Sequence, residues 1–192
     1  MINYTRYINA VHFEQWDFSF LIDYILNNHH FYIKRTLPLI EHNLERCINT
    51  DPNRNNTNSE FSKIIYCFTE LSNELTTHLT KEEKMLFPYM KKMYIAEKNQ
   101  LELPPPPFGS ISKPVEVMEK EHNNISGLLN KIKNLTNSCN IAESSSETFR
   151  MLHQELTDFQ EDINIHFHLE NHILFPDAIK LEEKLLKHNS II

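Results

Sequence analysis

"HLTKEEKMLFP" (78–88) and "HFHLENHILFP" (166–176) stand 88 residues apart in a chain of 192. Each reads His-x-x-x-Glu, three further residues, then Leu-Phe-Pro. On an α-helix, residues four apart share a face, with Cβ atoms about 5–6 Å apart. His78 and Glu82 therefore point one way, as do His166 and Glu170. An imidazole and a carboxylate from one turn can meet a single metal ion.

Helical spacing extends outward from both segments. "FSFLIDYILNNHHFYIKRTLPLIEHNLERC" (18–47) places Phe18, Leu21, Ile22, Ile25, Leu26, His29 and Tyr32 on one stripe. Pro38 is expected to kink this helix or tighten a turn. "DPNRNNTN" (51–58) reads as a polar loop, and Ser59 as the start of a second helix running through Tyr94. "LPPPPFGS" (103–110) is too rich in proline for a helix and reads as a stiff linker. "PVEVMEKEHNNISGLLNKIKNLT" (114–136) is amphipathic again, with Val115, Met118, His122, Ile125 and Leu129 aligned. A loop at 137–147 leads to a last helix over 148–187, bent near Pro176.

Four long helices and three connections predict an all-α fold, an antiparallel four-helix bundle over residues 16–188 after an extension of residues 1–15. Helices one and three carry lone inward-phase histidines, His30 and His122. The spacings, 48 residues from His30 to His78 and 44 from His122 to His166, describe two copies of one helical hairpin in a pseudo-twofold pair.

If all these residues face the bundle axis, the interior holds four histidines and two glutamates. A lone buried carboxylate costs several kcal/mol or takes up a proton. Two carboxylates among four imidazoles are explained by cations between them. The candidate ligands are His30, His78, Glu82, His122, His166 and Glu170. Six ligands suit two metals, with the carboxylates bridging and the imidazoles terminal. Imidazole and carboxylate donors with open positions favour iron, with manganese or zinc as rivals. Glu74 and Asp162 each lie four residues before a site histidine, and Glu121 precedes His122. These three acids are candidates to hold ligand imidazoles or to line an access route for cations and protons. By helical phase His29, His168 and His172 read as surface or rim residues. His12, His42, His153 and His188 have no partner pattern. From "KEEK" (81–84) only Glu82 is assigned a role, the rest reading as a solvated face. Phe87, Pro88, Phe175 and Pro176 read as core and helix-bend residues.

Bulk properties narrow the function classes. A net charge of −7 argues against nucleic-acid and anionic-membrane binding, which draw on basic patches. No apolar run approaches the roughly 18 residues of a membrane span, and "MINYTRYINAVHF" lacks a signal-peptide core. Three scattered cysteines, Cys47, Cys67 and Cys139, suit a reducing compartment, and the expected location is cytoplasmic. Only two glycines occur, Gly109 and Gly127, which excludes a phosphate-cradling Gly-rich loop.

"WDFSFLIDYILNNHHFYIKRTLP", "ELTTHLTKEEKMLFP", "VMEKEHNN" and "INIHFHLENHILFP" together resemble the hemerythrin-like (HHE cation-binding) domain. More closely they resemble bacterial di-iron proteins that repair iron–sulfur clusters, over about residues 16–180. The resemblance implies an antiparallel four-helix bundle holding two iron ions with a bridging oxo or hydroxo group. The ligands it implies are His30, His78, His122 and His166, with Glu82 and Glu170 bridging; His29 is left out because the second histidine of the pair matches the motif. It implies oxygen or nitric oxide as small ligands, iron–sulfur proteins as partners, and a role in nitrosative or oxidative stress. Any turnover would be redox chemistry such as nitric oxide reduction. Reversible oxygen or nitric oxide binding or sensing, and metal storage, would use the same six residues. Family members usually begin with a small domain carrying a cysteine pair, whereas this sequence enters the pattern at about residue 16 and has no adjacent cysteines.

Overall fold

The computed structural model describes residues 10–50, 60–103, 105–138 and 147–189. The loop expected at 51–58, Ser59, and most of the loop expected at 137–147 lie outside them. A short 3₁₀ turn, Phe13–Gln15, leads into four long helices. Helix α1 comprises Phe18–Tyr24, a π-helical turn Ile25–His30, and Phe31–Thr50. Helix α2 comprises Glu60–Lys81, a π-helical turn Glu82–Leu86, and Phe87–Asn99. Helix α3 is Ser112–Ser138. Helix α4 comprises Glu147–Leu169, a π-helical turn Glu170–Leu174, and Phe175–Asn189. The fold is an all-α four-helix bundle in which α1 and α3 each pack between α2 and α4.

The core has two apolar parts with the histidines between them. One cluster holds Ile33, Leu37, Leu71, Leu79, Ile125, Leu129, Ile163 and Phe167, among others. The second includes Ile22, Ile25, Leu86, Met90, Val115, Met118, Leu169 and Leu174. Along α1 the chain passes from the second cluster to the first, and along α2 it returns. Helices α3 and α4 repeat that order. This alternation is the up-down-up-down course of an antiparallel bundle. The crossings fall at His30 and His122 in α1 and α3, and just after His78 and His166 in α2 and α4. Full burial of a Leu or Ile contributes about 1.5–3 kcal/mol, so the two clusters hold the helices in register around the polar layer.

Proline and asparagine shape the backbone where the helices cross that layer. Pro88 and Pro176 have no N–H to offer the carbonyl four residues back, and their rings crowd it. In both helices the turn just before widens to π geometry, beginning at Glu82 and at Glu170. In α1 the cause differs. The side-chain amides of Asn27 and Asn28 donate to the carbonyls of Asp23 and Tyr24, at 2.8 and 2.9 Å, drawing those oxygens aside. The helix then continues through Pro38, and the irregularity expected there lies at 25–30 instead.

Helix α3 begins at Ser112, two residues before the sequence reading, and puts Pro114 in its first turn, where a missing N–H is harmless. Its start is capped from another helix. The buried carboxylate of Glu182 in α4 accepts from the Ile111 N–H, at 3.0 and 3.1 Å, and from the Ser110 hydroxyl at 2.8 Å. The chain reaches this point through Gln100 and Gly109, both with left-handed backbone, at φ 54° and 84°. Replacing Glu182 by Ala strands a buried N–H and should lower stability by about 1–3 kcal/mol. Glu182→Gln, which keeps an acceptor oxygen, should lose less. Urea unfolding midpoints measure both.

Candidate metal centre

The layer between the apolar clusters contains His30 from α1, His78 and Glu82 from α2, His122 from α3, and His166 and Glu170 from α4; none is more than 2 % exposed. Two overlapping groups of four donors form there: His30, Glu82, His166 and Glu170, and His78, Glu82, His122 and Glu170. Within the first group the Nε2 atoms of His30 and His166 lie 3.2 Å apart. Within the second, those of His78 and His122 lie 3.0 Å apart. Each group thus draws one histidine from each hairpin.

The carboxylates span both groups. Glu82 turns Oε2 to His30 Nε2 and Oε1 to His78 Nε2, each at 3.4 Å. Glu170 turns Oε1 to His166 Nε2 at 2.9 Å and Oε2 to His122 Nε2 at 3.3 Å. All four oxygens are buried, and no hydrogen bond of acceptable geometry reaches them. Neighbouring donors around one ion, with bonds of about 2.1 Å, lie about 3 Å apart. The separations here match that edge, and the stranded oxygens and converging Nε2 atoms fit a pair of cations.

The far sides of the rings are held in place. His30 Nδ1 donates to Glu83 at 2.9 Å, His78 Nδ1 to Glu121 at 3.0 Å, and His122 Nδ1 to the Asn171 amide oxygen at 2.7 Å. Those bonds set the tautomer that leaves Nε2 facing the carboxylates. The repeated Leu-Phe-Pro supplies a further support. Phe87 stacks on His30 and Phe175 on His122, at centroid distances of 5.5 and 6.0 Å.

Residues 21–178 match the family described as the hemerythrin HHE cation binding domain. The chain belongs to this family. It is 30% identical over 173 residues to the iron-sulfur cluster repair protein YtfE of Yersinia pestis (strain Pestoides F), an alignment covering 88% of this chain and 69% of that protein. The same figures hold for the protein of that name from Yersinia pseudotuberculosis serotype O:1b (strain IP 31758). The Pectobacterium atrosepticum protein is 33% identical over 114 residues, 59% of this chain and 46% of its own length. Among the described residues no helix is long and apolar enough to cross a membrane.

Around this hemerythrin-like centre, three sequence readings need correction. His29 is not a rim residue: it is 3 % exposed, donates from Nδ1 to Asp162 at 3.0 Å and lies parallel to the His166 ring, 5.8 Å away. Asp162 therefore serves His29 and leaves His166 Nδ1 without a partner. Glu83, read as part of a solvated face, holds His30. Of the three acids read as holding ligand rings or lining an access route, Glu121 reaches His78, and Glu74 lines a surface cleft of about 350 Å³ beside Lys81 and Glu121. Asn171 went unread, although it is the repeat counterpart of Glu83, one residue after Glu170. His168 and His172 form a ring pair on the outside of α4, 4.8 Å apart.

Charge in the layer is shared unevenly. Burial alone would lower the His30 pKa, but Glu170, Glu82 and Glu83 raise it well above its ordinary value. Against the same burial penalty, Glu170 raises His122. Burial dominates at His166 and lowers it to about 3 despite Glu170. Glu170 is itself pushed well below the usual carboxylate range, burial being outweighed by His166, His122 and His30. In the metal-free chain His30 and His122 therefore keep their protons to higher pH than a free imidazole does, whereas His166 is neutral. A metal binds only neutral imidazole. Loading near neutral pH should therefore expel protons, and affinity should climb with pH until both rings are already neutral. Calorimetry in buffers of different ionisation enthalpy counts the protons. Loading without release would contradict these charge states.

Proposed function

We propose that the protein is a non-haem di-iron protein that serves in iron–sulfur cluster repair under nitrosative or oxidative stress. The observation that carries this reading is the pair of four-donor groups sharing Glu82 and Glu170. In this reading His30 and His166 bind one ion, His78 and His122 the other, and both glutamates bridge. Two imidazoles and two carboxylate oxygens per ion leave positions for an oxo or hydroxo bridge and an exchangeable ligand, and favour iron over manganese or zinc. Bound iron would supply redox chemistry and a pool of transferable metal. The chain's own part would be to hold the ions between two apolar clusters, with oxygen or nitric oxide as the small exchangeable ligand. The repair role extends to this chain what the names of its relatives state of those proteins. Its partners would be iron–sulfur proteins, and its setting the cytoplasm, where a buried thiol such as that of Cys67 stays reduced.

Protein made with iron should contain about two iron atoms per chain, in keeping with the donor set. Glu170→Ala should lose both, since a bridge serves both ions, whereas His168→Ala should retain them. Elemental analysis at full occupancy showing one zinc and no iron would refute the assignment. Repair is tested separately: iron-loaded protein is mixed anaerobically with a nitric-oxide-damaged iron–sulfur enzyme, and the return of cluster absorption is followed. Recovery with wild type and none with Glu170→Ala is expected. Reversible oxygen binding with no iron transfer would favour a carrier or sensor.

Metal should also stabilise the fold, because it binds the native site and hardly the unfolded chain. At a thousandfold excess over Kd the linkage is about 4 kcal/mol, enough to raise the melting temperature by roughly 8–16 °C in a chain of this size. Scanning calorimetry with and without metal reads the difference, and equal melting temperatures would mean that the six residues do not share a cation.

A further inference from the structure

Two lysines outside the ring of site residues are tied to it through carboxylates. Lys34 Nζ lies 2.6 Å from each oxygen of Glu83, whose Oε1 accepts from His30 Nδ1 at 2.9 Å. Lys81 donates to Glu121 Oε1, and Glu121 Oε2 accepts from His78 Nδ1 at 3.0 Å. Each relay runs ammonium, carboxylate, imidazole, and ends in a buried Nε2 facing Glu82. The lysines are 54% and 41% exposed. Ion pairs that open to solvent contribute about 0–1 kcal/mol, so stability is a poor reason for them.

Their distribution gives a better one. His30 and His78 belong to different donor groups. The partner histidine in each group has no such relay: His122 is held by a neutral amide, and His166 Nδ1 has no partner. Each group thus contains one carboxylate-backed imidazole, and each of those carboxylates is engaged by a lysine. The hairpin repeat does not account for this. The counterparts of Lys34, Lys81 and Glu83 in the second hairpin are Ser126, Leu169 and Asn171, and the counterpart of Glu121 in the first is His29. Two unrelated placements have converged on one relay per group.

A carboxylate accepting the Nδ1 proton raises the donor strength of the imidazole toward a metal. An ammonium on the same carboxylate draws its electron density away and weakens that pull. We propose that Lys34 and Lys81 are positioning residues that hold Glu83 and Glu121 and thereby set the donor strength of His30 and His78 toward bound metal, one lysine per ion. This rests on the di-iron reading of the site.

The test is the midpoint potential of the iron-loaded full chain, followed by its visible absorption. Lys34→Met and Lys81→Met keep the apolar stem but lose the charge. Both changes in the relay, the stronger donor and the missing cation, favour the more highly charged oxidised metal, so both variants should shift to lower potential. Lys34→Arg should restore the wild-type value, and Glu83→Gln should shift it upward. In a Glu83→Gln background, Lys34→Met should add little, as a double-mutant cycle reveals. Wild-type potentials in both lysine variants would overturn the proposal, as would a full Lys34→Met shift persisting without the Glu83 carboxylate. The Nδ1–H proton resonances of zinc-loaded or metal-free protein give a readout that needs no iron. Lys34→Met should move the His30 resonance downfield and leave that of His78 in place. No movement refutes the relay even where the chain binds two irons. Movement in a chain that takes up no iron supports the relay and refutes the di-iron reading alone.

Discussion

Two carboxylates, Glu82 and Glu170, lie in the middle of an apolar bundle with no hydrogen bond to any of their four oxygens. Burying an ionised carboxylate costs several kcal/mol unless charge or hydrogen bonds offset it, and a whole domain is stable by only about 5–15 kcal/mol. Much of the surrounding structure answers that constraint. Four imidazoles surround the pair, and at His30 and His122 the carboxylates raise the pKa against the cost of burial. The apolar clusters above and below carry the burial that the polar layer cannot supply. Each donor group takes one histidine from each hairpin, so an ion in either group would also fasten the hairpins together.

The placement of these donors depends on irregular backbone. In a regular helix His78 and Glu82 would share a face and Pro88 would clash with the turn before it. The π turn absorbs the proline and begins at the glutamate that faces both groups. Helix α4 repeats this at Glu170 and Pro176. The phenylalanine between leucine and proline then lands on the histidine of the neighbouring helix. Candidate metal donor, ring support and helix bend are thus coupled within eleven residues, which explains why the segment occurs twice as a unit.

The bundle and the inward course of six residues were legible because both are periodic. Helical spacing marks the buried stripe, and the duplicated segment ties two stripes to one axis. Features that depend on which neighbouring helix a side chain meets were not legible. Glu83 lies one residue from Glu82, about 100° round the helix, and looks solvated until α1 is packed beside it. Asn171 carries no charge to attract notice, and only the alignment of the two repeats would have exposed it. His29 shares the stripe of Ile22 and Ile25, and reading only one histidine of the adjacent pair as inward sends it to the rim; across the π turn Ile25–His30 both are buried, His29 against His166. Pro38 misled in the opposite sense, since α1 continues through it.

The hairpins have diverged most where they support the histidines, and the divergence follows the packing. On the α2–α3 side, Glu121 meets His78 directly and is engaged by Lys81. On the α4–α1 side the corresponding residue is His29, which cannot accept a proton at Nδ1 while donating to Asp162. His166 is left as a neutral ring whose pKa burial pushes down to about 3. The opposite occurs at Glu83, where the His30 hydrogen bond, against a burial penalty, and Lys34 bring the pKa to about 2. Anionic support at Nδ1 is thus concentrated on the two histidines of the first hairpin, whereas in the second His122 meets a neutral amide and His166 Nδ1 has no partner. Because each donor group takes one of each kind, the asymmetry between hairpins becomes a near balance between the two donor groups. A duplicated hairpin can in this way build two matched sites from two unmatched halves.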